Sequence, residues 1–389
     1  MENINYCGNT RIVMNDHAEM QIADFCVQYG YKKVLFVHDE YGAPEQTRNE
    51  MVRLLKDAGI DVFIINGIVS SPNLGKVNEG ISIAKENGIA ATIGLGGGSV
   101  IDTAKTIAAG ALYDGDVWDF FAGKEKLTKA LPIIAIPTCP GTGSETGNAA
   151  VMTNEEISSK IGLNADPFRP VLALINPILS YTYPVKLTAS GLCDAFSHAA
   201  ENYFNPSTEF NFIDECLEAN FRRILEITPE VLKHPDSYEL RAESYLLANA
   251  ANNGILGIGH KQEWASHRIV HPLSSIYHGN HGVTLTVILP AWMKYVYKNN
   301  IIRFKRFAIN VFSVDPLNKT DEEICLEGIR SVENFYKSVG MPVSFKEAGF
   351  PTDQFKELAK MVYEETNNSF GNIMKLNEED VYNIYKLAE

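Results

Sequence analysis

Short apolar runs alternate with amphipathic stretches along the first half of the chain. Residues 33–37 (KVLFV) read as a buried strand. Residues 44–58 repeat apolar positions at helical spacing and stop at Gly59. A strand at 62–65, a helix at 75–87 and a strand at 89–95 follow. That last strand runs through Gly96-Gly97-Gly98-Ser99 into a helix ending near Ala109, and 131–137 and 171–175 add two more strands. Such alternation predicts a parallel sheet with helices on its faces. Beyond Leu179 strand patterns largely stop. Helical periods take over at 189–203, 210–227, 237–253 and 322–339. Asn377-Glu378-Glu379-Asp380, ahead of an apolar-periodic run, reads as the start of a closing helix. The expected organisation is an α/β domain over 1–180 and an all-helical domain over 181–389. No internal repeat or low-complexity tract is visible.

A chain of 389 residues fits two cores. Its 48 acidic against 34 basic side chains give a net charge of −14. That balance repels phosphate backbones and anionic lipid, which argues against nucleic acid or membrane as the main partner. No apolar stretch is long enough to span a bilayer. The six cysteines are scattered without a CxxC pair, as expected of reduced thiols in a cytoplasmic protein. The N-terminal residues have no basic start followed by an apolar run, so no secretory leader is expected.

Two loops and one histidine cluster carry chemistry. Gly94-Leu95-Gly96-Gly97-Gly98-Ser99-Val100-Ile101-Asp102 joins a strand to a helix. Glycines let backbone approach a ligand, and the helix N-terminus attracts a phosphate. A pyrophosphate suits this place, which makes the first domain a candidate dinucleotide-binding domain. The order differs from the usual one, because the glycine loop follows the third strand and the candidate acid, Asp39, comes earlier, after the first. An acid at a strand end accepts from ribose hydroxyls and repels a 2′-phosphate, which favours NAD over NADP. Residues 136–145 (IPTCPGTGSE) form a second loop after a strand, small and rich in hydroxyls, able to line a ribose or nicotinamide.

Asp194 and His198, four apart on a helical pattern, project from one face and suit one cation. Glu201 follows three residues later, either as a partner to a ligand or as a solvated acid. Four of the nine histidines, His267, His271, His278 and His281, fall within 15 residues of one another. His267 and His271 share a helical spacing, with Pro272 after them. One carboxylate with three imidazoles suits Fe²⁺ or Zn²⁺. Such a dication lowers the pKa of a bound alcohol and polarises a carbonyl.

The combination GGGSVIDTAK, PTCPGTGSE, GLCDAFSHAAE and HRIVHPLSSIYHGNHG resembles the iron-containing (group III) alcohol dehydrogenases, over essentially the whole chain. WASH, HPLSSIY and LPAWMKYVY look most like the butanol dehydrogenase branch. The resemblance implies a dehydroquinate synthase-like architecture, with a nucleotide-binding α/β domain, a helical domain and an active site in the cleft between them. It implies metal ligation by Asp194, His198, His267 and His281, and proton handling by His271. Gly96, Gly97, Gly98, Ser99 and Asp102 would meet the cofactor phosphates and ribose, Thr138 and Thr142 would line the cofactor, and Lys160 would reach a ribose. It further implies a homodimer and hydride transfer between NAD, with NADP as the alternative, and a small alcohol or aldehyde. Ser71 stands where the family often has an Asn near the adenosine, and His278 is an additional histidine. A polyol or sugar-phosphate dehydrogenase of the same fold is the rival enzyme reading, disfavoured because only Arg268 and Lys261 lie close to the motifs. A nucleotide-binding scaffold is the non-enzymatic one.

Overall fold

The computed structural model describes residues 2–69, 72–157, 159–277, 279–366 and 369–389; Ser71 and His278 lie outside them. The chain divides into two compact units. One holds 7–183 together with 235–249, and the other holds the N-terminal residues up to Tyr6, 184–234 and 250–389.

The first unit runs β1 (Arg11–Met14), α1 (Ile22–Tyr29), β2 (Lys33–His38), α2 (Glu45–Asp57), β3 (Asp61–Ile65), α3 (Leu74–Asn87), β4 (Ala91–Gly96), α4 (Gly98–Gly110), α5 (Trp118–Phe121), β5 (Ile133–Pro137), β6 (Ala149–Asn154), β7 (Ser159–Asn164) and β8 (Leu172–Ile175). Six strands form one parallel sheet in the order β1-β8-β5-β4-β2-β3. Side chains alternate across it, as strand geometry requires. Val34 and Phe36 of β2 face Met51 and Leu55 of α2, whereas Leu35 and Val37 face Val77 of α3 and Ile107 of α4. The helices therefore change faces after β3, where the strand order also reverses. The reversal sets the carboxyl ends of β2 and β4 side by side, with His38 opposite Leu95. In open α/β sheets a ligand crevice lies at such a switch point.

Two features lay outside the sequence pattern. β1 is a four-residue edge strand, exposed at Arg11 and Ile12 and half-buried at Val13 and Met14, and its short apolar run Ile12-Val13-Met14 does not by itself mark a strand. The antiparallel hairpin β6–β7 forms its own small sheet, and β6 alternates between half-buried and buried.

The remaining helices are α6 (Val185–Tyr203), α7 (Phe212–Lys233), α8 (Tyr238–Asn252), α9 (Ala265–Ile269), α10 (His271–Ile276), α11 (His281–Val296), α12 (Ile301–Phe312), α13 (Asp321–Ser338), α14 (Phe345–Ala348), α15 (Phe355–Glu365) and α16 (Glu378–Leu387). Residues 238–249 of α8 belong to the α/β unit, where Tyr245 packs on Ala173 and Ile175 of β8. In the helical unit α6 is the centre, with 15 of its 19 residues buried. It packs through Phe196 and Tyr203 into an aromatic cluster with Phe221 and Phe307. A helix buried on all sides can turn a polar stripe inward only if that stripe finds partners. No helix among the described residues is long and apolar enough to cross a membrane.

Candidate metal centre and nucleotide cradle

The polar stripe of α6 is Asp194, His198 and Glu201, spaced so that all three share one face. Two further elements bring imidazoles to it. The short α9 carries His267 at its third position, and His281 is the first residue of α11. Gly282 makes the second approach possible, because a Cβ there would stand 2.3 Å from the Ser190 carbonyl oxygen of α6. Asn280 caps α11 by accepting from the Val283 N–H and also bonds the Ser190 hydroxyl. The start of α11 is thereby fastened to α6 beside Asp194.

Three imidazole Nε2 atoms converge on a single carboxylate oxygen. His198, His267 and His281 place theirs 3.7, 3.7 and 3.8 Å from Asp194 Oδ1. These gaps are too long for hydrogen bonds. Asp194 Oδ1 and His267 Nε2 are both buried and hydrogen-bond to nothing among the described residues. Buried polar atoms normally have partners, so this pair calls for one. Two donors tetrahedrally bonded to one cation at about 2.0–2.2 Å stand about 3.3–3.6 Å apart, close to the separations seen. Asp194, His267 and His281 offer ligand atoms all within 4.8 Å of one another. His198 reaches the same oxygen from one helical turn along, its ring stacked on that of His267 with centroids 4.7 Å apart. A dication fits this donor set.

The electrostatics favour positive charge beside Asp194. Burial alone raises the Asp194 carboxyl, but His198, His267 and His281 outweigh it and hold it well below the usual carboxylate range. Burial pushes the His198 imidazole down to about 4, so it is neutral and able to ligate. His267, despite its burial, is raised to about 9 by the carboxylates of Asp194 and Glu201.

Glu201 proves to be a partner rather than a solvated acid. It is buried, and its Oε1 accepts from His267 Nδ1 (2.8 Å), the His267 N–H (3.1 Å) and the Ser266 hydroxyl (2.5 Å). The Nδ1 bond fixes the ring so that Nε2 faces Asp194. His271 does not continue the helix of His267. The chain breaks at Val270, and His271 starts α10, half-buried, with Pro272 behind it. Proline cannot donate to the carbonyl four residues back and crowds it, so Pro272 favours the break that the chain makes ahead of it.

In the α/β unit Asp39, Gly96 and Thr138 stand at the carboxyl ends of β2, β4 and β5, whereas Lys160 stands on the β6–β7 hairpin. Asp39 Oδ1 accepts from the backbone N–H of Tyr41 (3.0 Å) and of Gly42. A Cβ on Gly42 would stand 2.7 Å from Asp39 Oδ1 and 2.9 Å from Thr138 Oγ1, so Asp39 and Thr138 converge there. The Thr138 N–H donates to the Gly96 carbonyl, tying the second loop to the first. Gly97 is the N-cap of α4 and offers no side chain to its first turn, which begins with Gly98 and Ser99. Gly98 lies against Thr142, whose Cγ2 would be 2.7 Å from an added Cβ. Asp102 is the fifth residue of α4. Its Oδ1 accepts from the Ser144 hydroxyl (2.6 Å) and its Oδ2 from the Val151 N–H (2.9 Å). Burial raises the Asp102 carboxyl, while Lys105, Ser144, Val151 and Lys160 of β7 act against the rise.

Pattern reading passed over Lys105 and Glu145. Lys105 is fully buried and donates to the Gly147 and Ala149 carbonyls, and burial lowers it to about 8. Burial pushes the nearby Glu145 up to about 7. Both stand in the quoted motifs, but nothing in their spacing distinguishes a buried charge from a solvated one.

Known proteins match along the full length. Residues 9–177 match the model of the iron-containing alcohol dehydrogenases, and 188–388 match the C-terminal model of the same family. A probable NADH-dependent butanol dehydrogenase of Bacillus subtilis is 34% identical over 392 residues, covering 100% of both chains. An NADPH-dependent aldehyde reductase of Escherichia coli is 27% identical, covering 95% of each. The crystal structure of an NADH-dependent butanol dehydrogenase A from Thermotoga maritima superposes with a TM-score of 0.95 at 38% identity, over 100% of this chain and 99% of that one.

Proposed function

The chain belongs to the iron-containing alcohol dehydrogenase family, and from that premise we propose a metal-dependent alcohol dehydrogenase and aldehyde reductase that moves hydride between NAD(H) and a small primary alcohol or aldehyde of the butanol type. One observation carries the reading, the convergence of three imidazole Nε2 atoms on buried Asp194 Oδ1. Asp194, His198, His267 and His281 hold Fe²⁺ or Zn²⁺ in this scheme. When bound, the dication supplies Lewis acidity toward a substrate oxygen, and the nicotinamide supplies or accepts the hydride.

The chain's own residues do the rest. Asp194 brings one negative charge, which leaves a dication with net positive charge for the substrate. Glu201 keeps His267 in the tautomer that presents Nε2. His271 carries the proton to or from the substrate oxygen. Asp39, its carboxylate steadied by two backbone N–H groups, accepts from ribose hydroxyls and disfavours a 2′-phosphate. The names of the Bacillus and Thermotoga relatives support NADH. Gly96, Gly97, Gly98 and Ser99 cradle the phosphates, Thr138 and Thr142 line the cofactor, and Lys160 reaches a ribose. Asp102 acts on the cradle through Ser144 and Val151.

A panel of short aldehydes and alcohols, assayed with NADH and NADPH after reconstitution with each metal, tests the assignment. Asp194→Ala is expected to lose metal and turnover together. Undiminished turnover by a metal-free Asp194→Ala protein refutes it.

A further inference from the structure

His267 rides on a five-residue helix whose entry is strained and fastened from far along the chain. Trp264, the N-cap of α9, has φ 61° and ψ 13°. Among the described residues only Ser313 and Asn318 also combine a side chain with positive φ. A bulky residue seldom takes this conformation, and such strain persists only where the surroundings over-determine it.

The surroundings are specific. The Glu263 N–H donates to the Glu201 carbonyl at 2.8 Å. The Glu263 side chain, 3% exposed, accepts at Oε2 from two consecutive backbone N–H groups, Asn372 at 2.6 Å and Ile373 at 2.7 Å. Asn372 Nδ2 donates to the Gln262 carbonyl at 2.7 Å, and the Trp264 indole N–H donates to Gln262 Oε1 at 2.6 Å. The indole then lies edge-on to His267, ring centroids 5.1 Å apart, and 5.9 Å from His198. A segment more than a hundred residues downstream thus holds Gln262 and Glu263, the two residues before Trp264. Two adjacent N–H groups aimed at one point need an acceptor that reaches both, which a carboxylate oxygen does and an apolar side chain does not.

We propose that Glu263 is a positioning residue for the metal centre: it anchors residues 372–373 to the strained turn at Trp264 and so sets where His267 stands relative to Asp194. The proposal rests on the metal reading of Asp194, His267 and His281.

The test uses the full-length protein, stripped of metal and titrated with Zn²⁺ against a chelator, and with Co²⁺ for its absorption bands. Circular dichroism verifies folding of each variant. Glu263→Ala is expected to weaken Zn²⁺ about tenfold and to shift the Co²⁺ bands, as loss of outer partners of a ligand does. Glu263→Gln keeps an oxygen for the two N–H groups and is expected to restore most of both. Asn372→Ala, which removes the bond to Gln262 and an exposed one from Lys375 but leaves both N–H bonds to Glu263, is expected to move both readouts less and in the same direction. A folded Glu263→Ala with Zn²⁺ affinity within twofold of the parent and an unchanged Co²⁺ spectrum overturns the proposal. If that variant does not fold, parental values for Asn372→Ala overturn it equally. Asp194→Ala separates the two levels: parental Zn²⁺ affinity there sinks the metal reading itself.

Discussion

Replacing Glu201 by alanine removes one oxygen that three buried donors share. The Ser266 hydroxyl, the His267 N–H and His267 Nδ1–H all end on Glu201 Oε1, at 2.5, 3.1 and 2.8 Å. A buried donor stripped of its acceptor costs about 1–3 kcal/mol, so three cost about 4 kcal/mol after some relaxation. That is a large share of the roughly 5–15 kcal/mol by which domains are stable. The His267 ring also loses the bond that selects its tautomer, so metal affinity is expected to fall by about 10–100-fold. Glu201→Gln keeps one acceptor oxygen and loses the charge. Its bonds drop from charge-assisted to neutral, a loss of about 1–2 kcal/mol, with a smaller fall in affinity. Chelator competition gives the affinity, and urea unfolding of the metal-free proteins gives the stability. The reasoning is refuted if the alanine variant keeps parental Zn²⁺ affinity, or if glutamine and alanine behave alike in both measurements.

Two further outcomes follow from the α/β unit. Asp39→Ser is expected to raise the NADPH-to-NADH ratio of kcat/KM by about tenfold or more, because a carboxylate about 4 Å from a doubly charged phosphate costs about 2 kcal/mol even in water; steady-state kinetics with both cofactors reads it, and an unmoved ratio removes Asp39 from cofactor choice. Glu145, raised by burial from 4.5 to about 7, binds its proton more tightly folded than unfolded. Its favourable contribution is therefore complete below pH 4.5 and is lost as pH rises to 7. Glu145→Gln should gain on the parent across that window, by at most about 3 kcal/mol, and level off above it; denaturant midpoints at pH 4.5, 6 and 8 that move in parallel contradict this.

The alternating first half, the glycine turn after β4 and the Asp194/His198/Glu201 stripe were legible in the residues, because period-2 and period-3.6 patterns and i, i+4 spacing are properties of local backbone geometry. Helix α13, expected at 322–339, runs Asp321–Ser338. Choosing among His267, His271, His278 and His281 was not legible from spacing. It depends on a helix break at Val270 and on Gly282 admitting α11 against Ser190, and both are packing events. The resemblance to the family named His267 and His281, and the structure brings both to Asp194. The pattern of α8 looks like that of its helical neighbours, yet residues 238–249 join the α/β unit, since helical periodicity marks a buried face without naming what covers it. Glu263 and the 372–373 backbone meet across more than a hundred residues, and no local rule reaches that far. Sequence alone determined which side chains are available for chemistry and on which helical face they stand. Tertiary structure decided which of them share one oxygen of Asp194, because that depends on how closely separate helices approach.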